Sequence, residues 1–234
     1  VTVLRVGPDD VTLTRTPVLE ASANLRSREV TLRLDADGGG EVDVTETIRG
    51  VEAPGYRNRY QAEGLREERL GRAMRGLFPG LELSEHAFEN LDDFDRPASL
   101  SFEGRAPQLA VRDGRNLRVS PTVLHDLSRN LAPASTRRLP LDLGLRSAYQ
   151  ETRRVVLPRG YTASEVPEDG AAESEFGRLA IRVERDGREV RATTEFALNV
   201  DRVSPAQYPA FRAWVEQADR LLRQRITLSP GGER

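Results

Sequence analysis

Between positions 177 and 200 the chain alternates with a period of two, and that pattern constrains the fold more than any other. Leu179, Ile181 and Val183 stand at every second position. Val190, Ala192, Thr194, Phe196, Leu198 and Val200 then alternate with Arg191, Thr193, Glu195, Ala197 and Asn199, as in half-buried strands. Asp186-Gly187 lies between the runs and supplies the positive φ angles of a tight hairpin turn. A hairpin with one apolar face needs a cover, and the next segment offers one. Ser204-Pro205-Ala206-Gln207 combines an N-cap hydroxyl, a proline where no amide hydrogen is needed, and a glutamine that can return the cap bond. The helix it starts carries Tyr208, Phe211, Val215, Ala218 and Leu222 as one stripe, with Trp214 and Leu221 beside it, so that this stripe lies on a sheet.

Upstream, residues 3–6 and 11–13 read as short strands around the turn cluster Gly7-Pro8-Asp9-Asp10. Val30, Leu32 and Leu34, then Val42, Val44 and Ile48, form a second hairpin across Asp35-Ala36-Asp37-Gly38-Gly39-Gly40. Residues 56–60 are expected to continue the sheet. Leu70, Ala73, Met74, Leu77 and Phe78 fall at helical spacing and stop at Pro79-Gly80. Residues 81–88, 100–102, 109–111 and 117–119 read as strands, with Asp113-Gly114 closing the last pair. Periodicity fades from Pro121 to Leu143, apart from a short helix near 123–131. Strand signals resume at 151–157, and the Gly-rich end is expected to be disordered.

The expected class is α+β and β-rich, with antiparallel sheets in a sandwich-like arrangement and one amphipathic helix packed in each half. The expected division is a β-rich subdomain with one helix over 1–120, a linker or irregular connection over 121–145, an antiparallel β subdomain with a C-terminal helix over 146–228, and a disordered tail over 229–234. The chain opens Val-Thr-Val and reads as a piece of a longer protein.

Composition narrows the function by exclusion. The 35 basic and 37 acidic residues nearly cancel, and the basic residues, all arginine, are spread along the chain. Neither an overall basic field nor a basic cluster favours nucleic acid. No run is apolar for the ~18 residues of a membrane span, so no direct membrane insertion is expected. Cysteine is absent, which removes thiol catalysis, thiolate metal sites and disulfides together.

Asp35, Asp37, Gly40, Asp43 and Glu46 stand at positions 1, 3, 6, 9 and 12 of a calcium-binding EF-hand loop, but Gly39 occupies a ligand position and both flanks have strand period where an EF-hand needs helices. A solvated acidic turn accounts for them, and no metal is expected. Glu82, Glu85, Glu89, Asp92, Asp93 and Asp95 could supply paired carboxylates for hydrolysis, with His86 nearby, against the simpler reading of a charged strand edge. His86 and His125 sit in no metal-ligand or nucleophile-activating motif. Gly38-Gly39-Gly40 joins two strands and is no phosphate loop. Arg137-Arg138 could grip a carboxylate or phosphate, and these two are the candidate binding residues.

Several short stretches appear in a fixed order: Ala21-Ser22-Ala23-Asn24-Leu25 with the glycine-bearing hairpin, Leu77-Phe78-Pro79-Gly80, Arg138-Leu139-Pro140-Leu141, Leu157-Pro158-Arg159-Gly160-Tyr161, Ser174-Glu175-Phe176-Gly177, and Ser204-Pro205 with Tyr208 and Phe211. In this the chain resembles the non-catalytic C-terminal β-rich region, a domain of unknown function, of bacterial transglutaminase-like multidomain proteins. The resemblance implies an accessory module beside a separate catalytic domain, in proteins of the periplasm or cell envelope. It carries over no catalytic residue, because the nucleophilic cysteine of that core is not in this sequence. The expectation is a non-enzymatic binding or scaffolding module without cofactor. Its expected partners are the adjacent catalytic domain and a protein or cell-envelope substrate, and the alternative is a carboxylate-dependent hydrolase using Glu82 to Asp95.

Overall fold

The alternating segments pair as their period requires. In the computed structural model, which describes residues 2–7, 10–15 and 18–231, the chain order begins β1 (Thr2–Val6), β2 (Val11–Arg15), β3 (Leu25–Leu34), β4 (Gly40–Ile48), α1 (Ala53–Tyr60) and α2 (Arg66–Met74). It continues with β5 (Glu82–Glu89), β6 (Ala98–Ala106), β7 (Val111–Asp113), β8 (Asn116–Val119), α3 (Leu127–Leu131), β9 (Leu141–Asp142) and β10 (Ser147–Val156). The last third holds β11 (Tyr161–Glu165), β12 (Gly170–Ser174), β13 (Gly177–Asp186), β14 (Glu189–Leu198), β15 (Arg202–Val203), α4 (Tyr208–Leu222) and β16 (Ile226–Pro230). The fold is β-rich α+β.

Eight strands form one sheet in the order β12-β13-β14-β10-β3-β4-β6-β5. Every neighbouring pair in it is antiparallel except β10 and β3, which run parallel, with Glu151 opposite Arg28. This sheet continues without a break across residues 121–145, because β3 and β10 lie on either side of that stretch in sequence and side by side in space. A second sheet, β11-β16-β8-β7, likewise draws strands from before and after it.

One face of the large sheet is covered in two places. Over β3, β4 and β6 sit α1, α2 and the second sheet, and Leu32, Val44, Phe102, Tyr60, Leu70, Leu117 and Ile226 share one core. Over β12–β14 lies α4, whose Tyr208, Phe211, Trp214, Val215, Ala218 and Leu222 pack with Leu179, Ile181 and Leu198. The cap before α4 forms as its sequence indicates: Ser204 Oγ accepts from the Gln207 N–H at 3.3 Å, and Gln207 Oε1 accepts from the Ser204 N–H at 3.3 Å. The opposite face of the sheet is polar and mostly exposed.

Several expectations change. Residues 56–60, expected as strand, are helical in α1. Pro54 sits in its first turn, the Tyr56 and Tyr60 rings meet one turn apart, tilted by 58° with centroids at 4.9 Å, and the Arg57 guanidinium donates to the carbonyls of Asn90, Asp93 and Arg96. Among the described residues the first half therefore holds two α-helices where one helix was expected. Leu109 and Ala110 precede their strand, since both donate to the Gly38 carbonyl at 2.9 Å; Gly38 has φ +97° and a Cβ there would lie 3.0 Å from the Ala110 carbonyl. Ser229 and Pro230, expected as disordered tail, belong to β16 opposite Thr162 and Tyr161. Proline is tolerated there because β8 pairs only with Ile226, Thr227 and Leu228. Residues 232–234 of that tail, and Pro8 and Asp9 of the first turn, lie outside the described residues. Among the described residues, β1 and β2 pair only with each other, and Leu4, Val6, Val11 and Leu13 are exposed.

Because Phe211 is fully buried at the centre of the α4 core, Phe211→Ala should cost about 3–5 kcal/mol of stability. Urea denaturation checks this, and a loss below about 1 kcal/mol would mean that α4 is not docked as described.

Candidate functional site

Between its two covered regions the large sheet places charges on the inward face. Arg26 and Arg28 of β3 share the parity of Val30, Leu32 and Leu34. Glu46 of β4 shares that of Val42, Val44 and Ile48, and Tyr149, Glu151 and Arg153 of β10 share that of Val155. The register lines up Thr194, Glu151, Arg28 and Glu46 as one row across four strands. All four are buried.

Burial of charge is tolerable only with partners. Arg28 donates to Glu46 through Nε, at 2.7 Å, and through Nη2. Burial pushes the Arg28 guanidinium down, but Glu46, Tyr149 and Glu151 outweigh it and raise it above its usual value. Glu151 accepts from Arg153 Nε at 2.9 Å, Tyr149 Oη at 2.6 Å, Thr122 Oγ1 at 2.7 Å and the Val123 N–H at 3.0 Å. Burial pushes its carboxyl up, yet Arg153 and these hydrogen bonds win and hold it below the usual carboxylate range. Burial, followed by the Glu151 charge, raises the Tyr149 phenol well above its ordinary value.

Above this row opens a cleft of about 390 Å³. Its floor is Arg26, Arg28 and Tyr149. One rim comes from Glu52 and Leu77, the other from Val123, Leu124, His125 and Asn130, and Phe196 and Ala148 complete the wall. The second rim is fixed from behind: Asp219 of α4, itself buried, accepts from the Leu127 N–H at 2.7 Å and the Ser128 N–H at 2.9 Å. At the first rim Arg26 Nη2 meets Glu52 at 2.7 Å, with both side chains partly in water.

The residues singled out from sequence fall elsewhere, with one exception. His125 lies on the cleft rim, exposed, its Nδ1 2.7 Å from the Val123 carbonyl oxygen. Glu82, Glu85, His86 and Glu89 are exposed along edge strand β5. Glu82 borders a groove of about 420 Å³ on the open face, while Glu85 and His86 border an adjoining hollow of about 150 Å³, and Asp43 and Glu103 line both. The acids beyond β5 are held by local contacts, Asp93 accepting from the Asp95 N–H at 3.0 Å. Arg137 lies over the Tyr208 ring at 5.7 Å and Arg138 is exposed; neither lines the cleft.

Of the acidic hairpin loop, Asp37 accepts from the Gly39 N–H at 3.0 Å, Asp35 pairs with Arg105, and Glu46 turns inward to Arg28. Among the described residues no group of three or more His, Asp or Glu side chains could hold a metal ion, and no helix is long and apolar enough to cross a membrane.

Comparison with known proteins adds a boundary. Residues 115–228 match a family, DUF3858, described as a Domain of Unknown Function with solved-structure structure. The match runs from β8 to β16, so it supplies His125, Tyr149 and Phe196, while Arg26, Arg28, Glu52 and Leu77 come from the chain before it. No curated protein matches. Among solved structures the chain is similar to one described as a "putative protease" from Parabacteroides distasonis, at 16% identity and TM-score 0.38. That similarity covers 48% of this chain and 23% of the other, so the chain spans about a quarter of the length of the protein it matches.

Glu151→Gln should lose about 3–5 kcal/mol at pH 7, because Arg153 would keep a buried charge without its partner. With its folded pKa depressed, Glu151 contributes fully above its unfolded value of about 4.3, and that contribution is lost as pH falls through the folded value. The gap between wild type and variant in urea midpoint should therefore narrow as pH is lowered from about 5 towards 2, and a constant gap would contradict the assignment.

Proposed function

We propose that this chain is a non-catalytic binding module that holds a segment of a protein or cell-envelope substrate for a separate catalytic domain in a transglutaminase-like protein. The observation that carries the binding reading is the state of the charges in the central cleft. Arg26, Arg28 and Glu151 are already engaged by Glu52, Glu46 and Arg153, an arrangement that fixes a surface and leaves no carboxylate of the row free to shuttle protons. Apolar walls beside fixed polar groups are the general composition of a binding cleft.

The link to a transglutaminase-like parent rests on the sequence resemblance, and the adjacent catalytic domain is the partner it implies. The carboxylate hydrolase alternative has less support, because Glu82, Glu85, His86 and Glu89 all stand exposed along edge strand β5, whereas paired-carboxylate chemistry needs one acid held in a sheltered cleft.

The purified chain, incubated overnight with a mixed tryptic peptide digest and a primary amine, should leave every peptide mass unchanged. New masses from hydrolysis or from amine incorporation would overturn the non-catalytic reading.

A further inference from the structure

The lining of the central cleft is richer in guanidinium than in carboxylate groups, although each guanidinium has an acidic partner. Two guanidiniums, Arg26 and Arg28, face it against a single carboxylate, Glu52, because the acids that neutralise the floor, Glu46 and Glu151, lie within the sheet row and do not line the cleft. Arg28 is 5% exposed and its Nε and Nη2 are committed to Glu46, so its plane is fixed and its Nη1 edge is not used in that pair. Ordering such a group before a ligand arrives removes an entropic cost of binding. Arg26 is held differently. Its Nε is buried without a hydrogen-bond partner, and its Nη2 is held at the rim by Glu52, whose side chain is 50% exposed and can turn into water. Glu52 thus occupies the place that another carboxylate could take.

We propose that this cleft binds a peptide through a carboxylate, seated on the guanidiniums of Arg26 and Arg28 with a neighbouring apolar side chain against Phe196, Leu124 and Leu77. The proposal rests on the binding reading of the same cleft and adds the chemical class of the ligand. A planar carboxylate matches the fork of a guanidinium, and one that takes the place of Glu52 on Arg26 keeps the charge of the lining balanced. The apolar wall opposite adds contact area beside it, and about 390 Å³ lies within the usual size range of ligand sites. The carboxylate can belong to a chain end or to an acidic side chain.

The chain contains its own reporter. Its single tryptophan, Trp214, stacks on Phe196 with ring centroids 6.1 Å apart and planes at 12°, so a peptide resting on Phe196 perturbs its emission. Three probes separate the cases: acetyl-Ala-Ala-Leu with a free carboxyl terminus, the same peptide amidated, and amidated acetyl-Ala-Glu-Leu. Titration followed by Trp214 fluorescence and calorimetry should show at least one of the two acidic peptides binding, and about tenfold more tightly than the neutral one. Binding should weaken with added salt.

The partly exposed Arg26 allows a variant that keeps the fold. Arg26→Gln should reduce affinity about tenfold while the urea midpoint stays close to wild type. Saturation by the free terminus alone assigns a chain end, and saturation by the glutamate peptide alone assigns a side chain. Equal binding of the neutral peptide would overturn the carboxylate while leaving a binding module. No binding of any probe up to about 5 mM, or an unchanged affinity in Arg26→Gln, would overturn the proposal. New peptide masses during the titration would instead overturn the non-catalytic reading.

Discussion

The buried pair between Arg28 and Glu46, continued through Glu151 to Arg153, sets the terms on which the rest of the structure assembles. These charges lie on the same face as two hydrophobic cores, at the one parallel junction of an otherwise antiparallel sheet. A slip of β3 by one residue would turn Arg28 to solvent and bring Glu29 inward against Glu46, like charge on like. The row therefore penalises wrong registers more sharply than an apolar contact would. It also separates the two cores along this row, where neither extends apolar packing over ionised side chains, while both reach Val183 of β13. The cleft is the space that this separation leaves.

Much of the architecture was legible because it depends on local period. The hairpins of β3–β4 and β13–β14, the cap before α4 and the α4 stripe each follow from residues a few positions apart. The inward charges were also visible in principle: Arg26 and Arg28 continue the parity of Val30 and Leu32, and Glu151 and Arg153 that of Val155. Their parity is hard to see because the apolar alternation ends where they begin, and Glu46 also fits the spacing of an acidic loop. What no local pattern holds is the partnership of β3 with β10, more than a hundred residues apart, which brings Arg28 beside Glu151. Without it Tyr149, Arg26 and His125 belong to no common place. Residues 56–60 failed for a different reason, since five positions are too few to separate a period of two from one of 3.6 when tertiary hydrogen bonds from Arg57 decide the outcome.

Arg137 and Arg138 show how adjacency in sequence misleads. Two neighbouring arginines invite a single ligand, but a backbone that points successive side chains apart gives them different surroundings: one lies on the ring of Tyr208 and the other stands in water. Arg26 and Arg28, two positions apart on a strand, share a face and line the same cleft. Spacing acquires meaning only with the local backbone geometry.

The hold of Asp219 on the start of α3 has a mechanical consequence. It fastens the rim that carries His125 and Asn130 to α4 and so to the core over β12–β14, whereas the Glu52 and Leu77 rim belongs to the core over β4 and β6. The two jaws of the cleft are thus fastened separately, one to Asp219 of α4 and, through the Val123 N–H, to Glu151 of β10, the other to the core over β4 and β6. Loss of the Asp219 contacts would therefore loosen one jaw and leave the other seated.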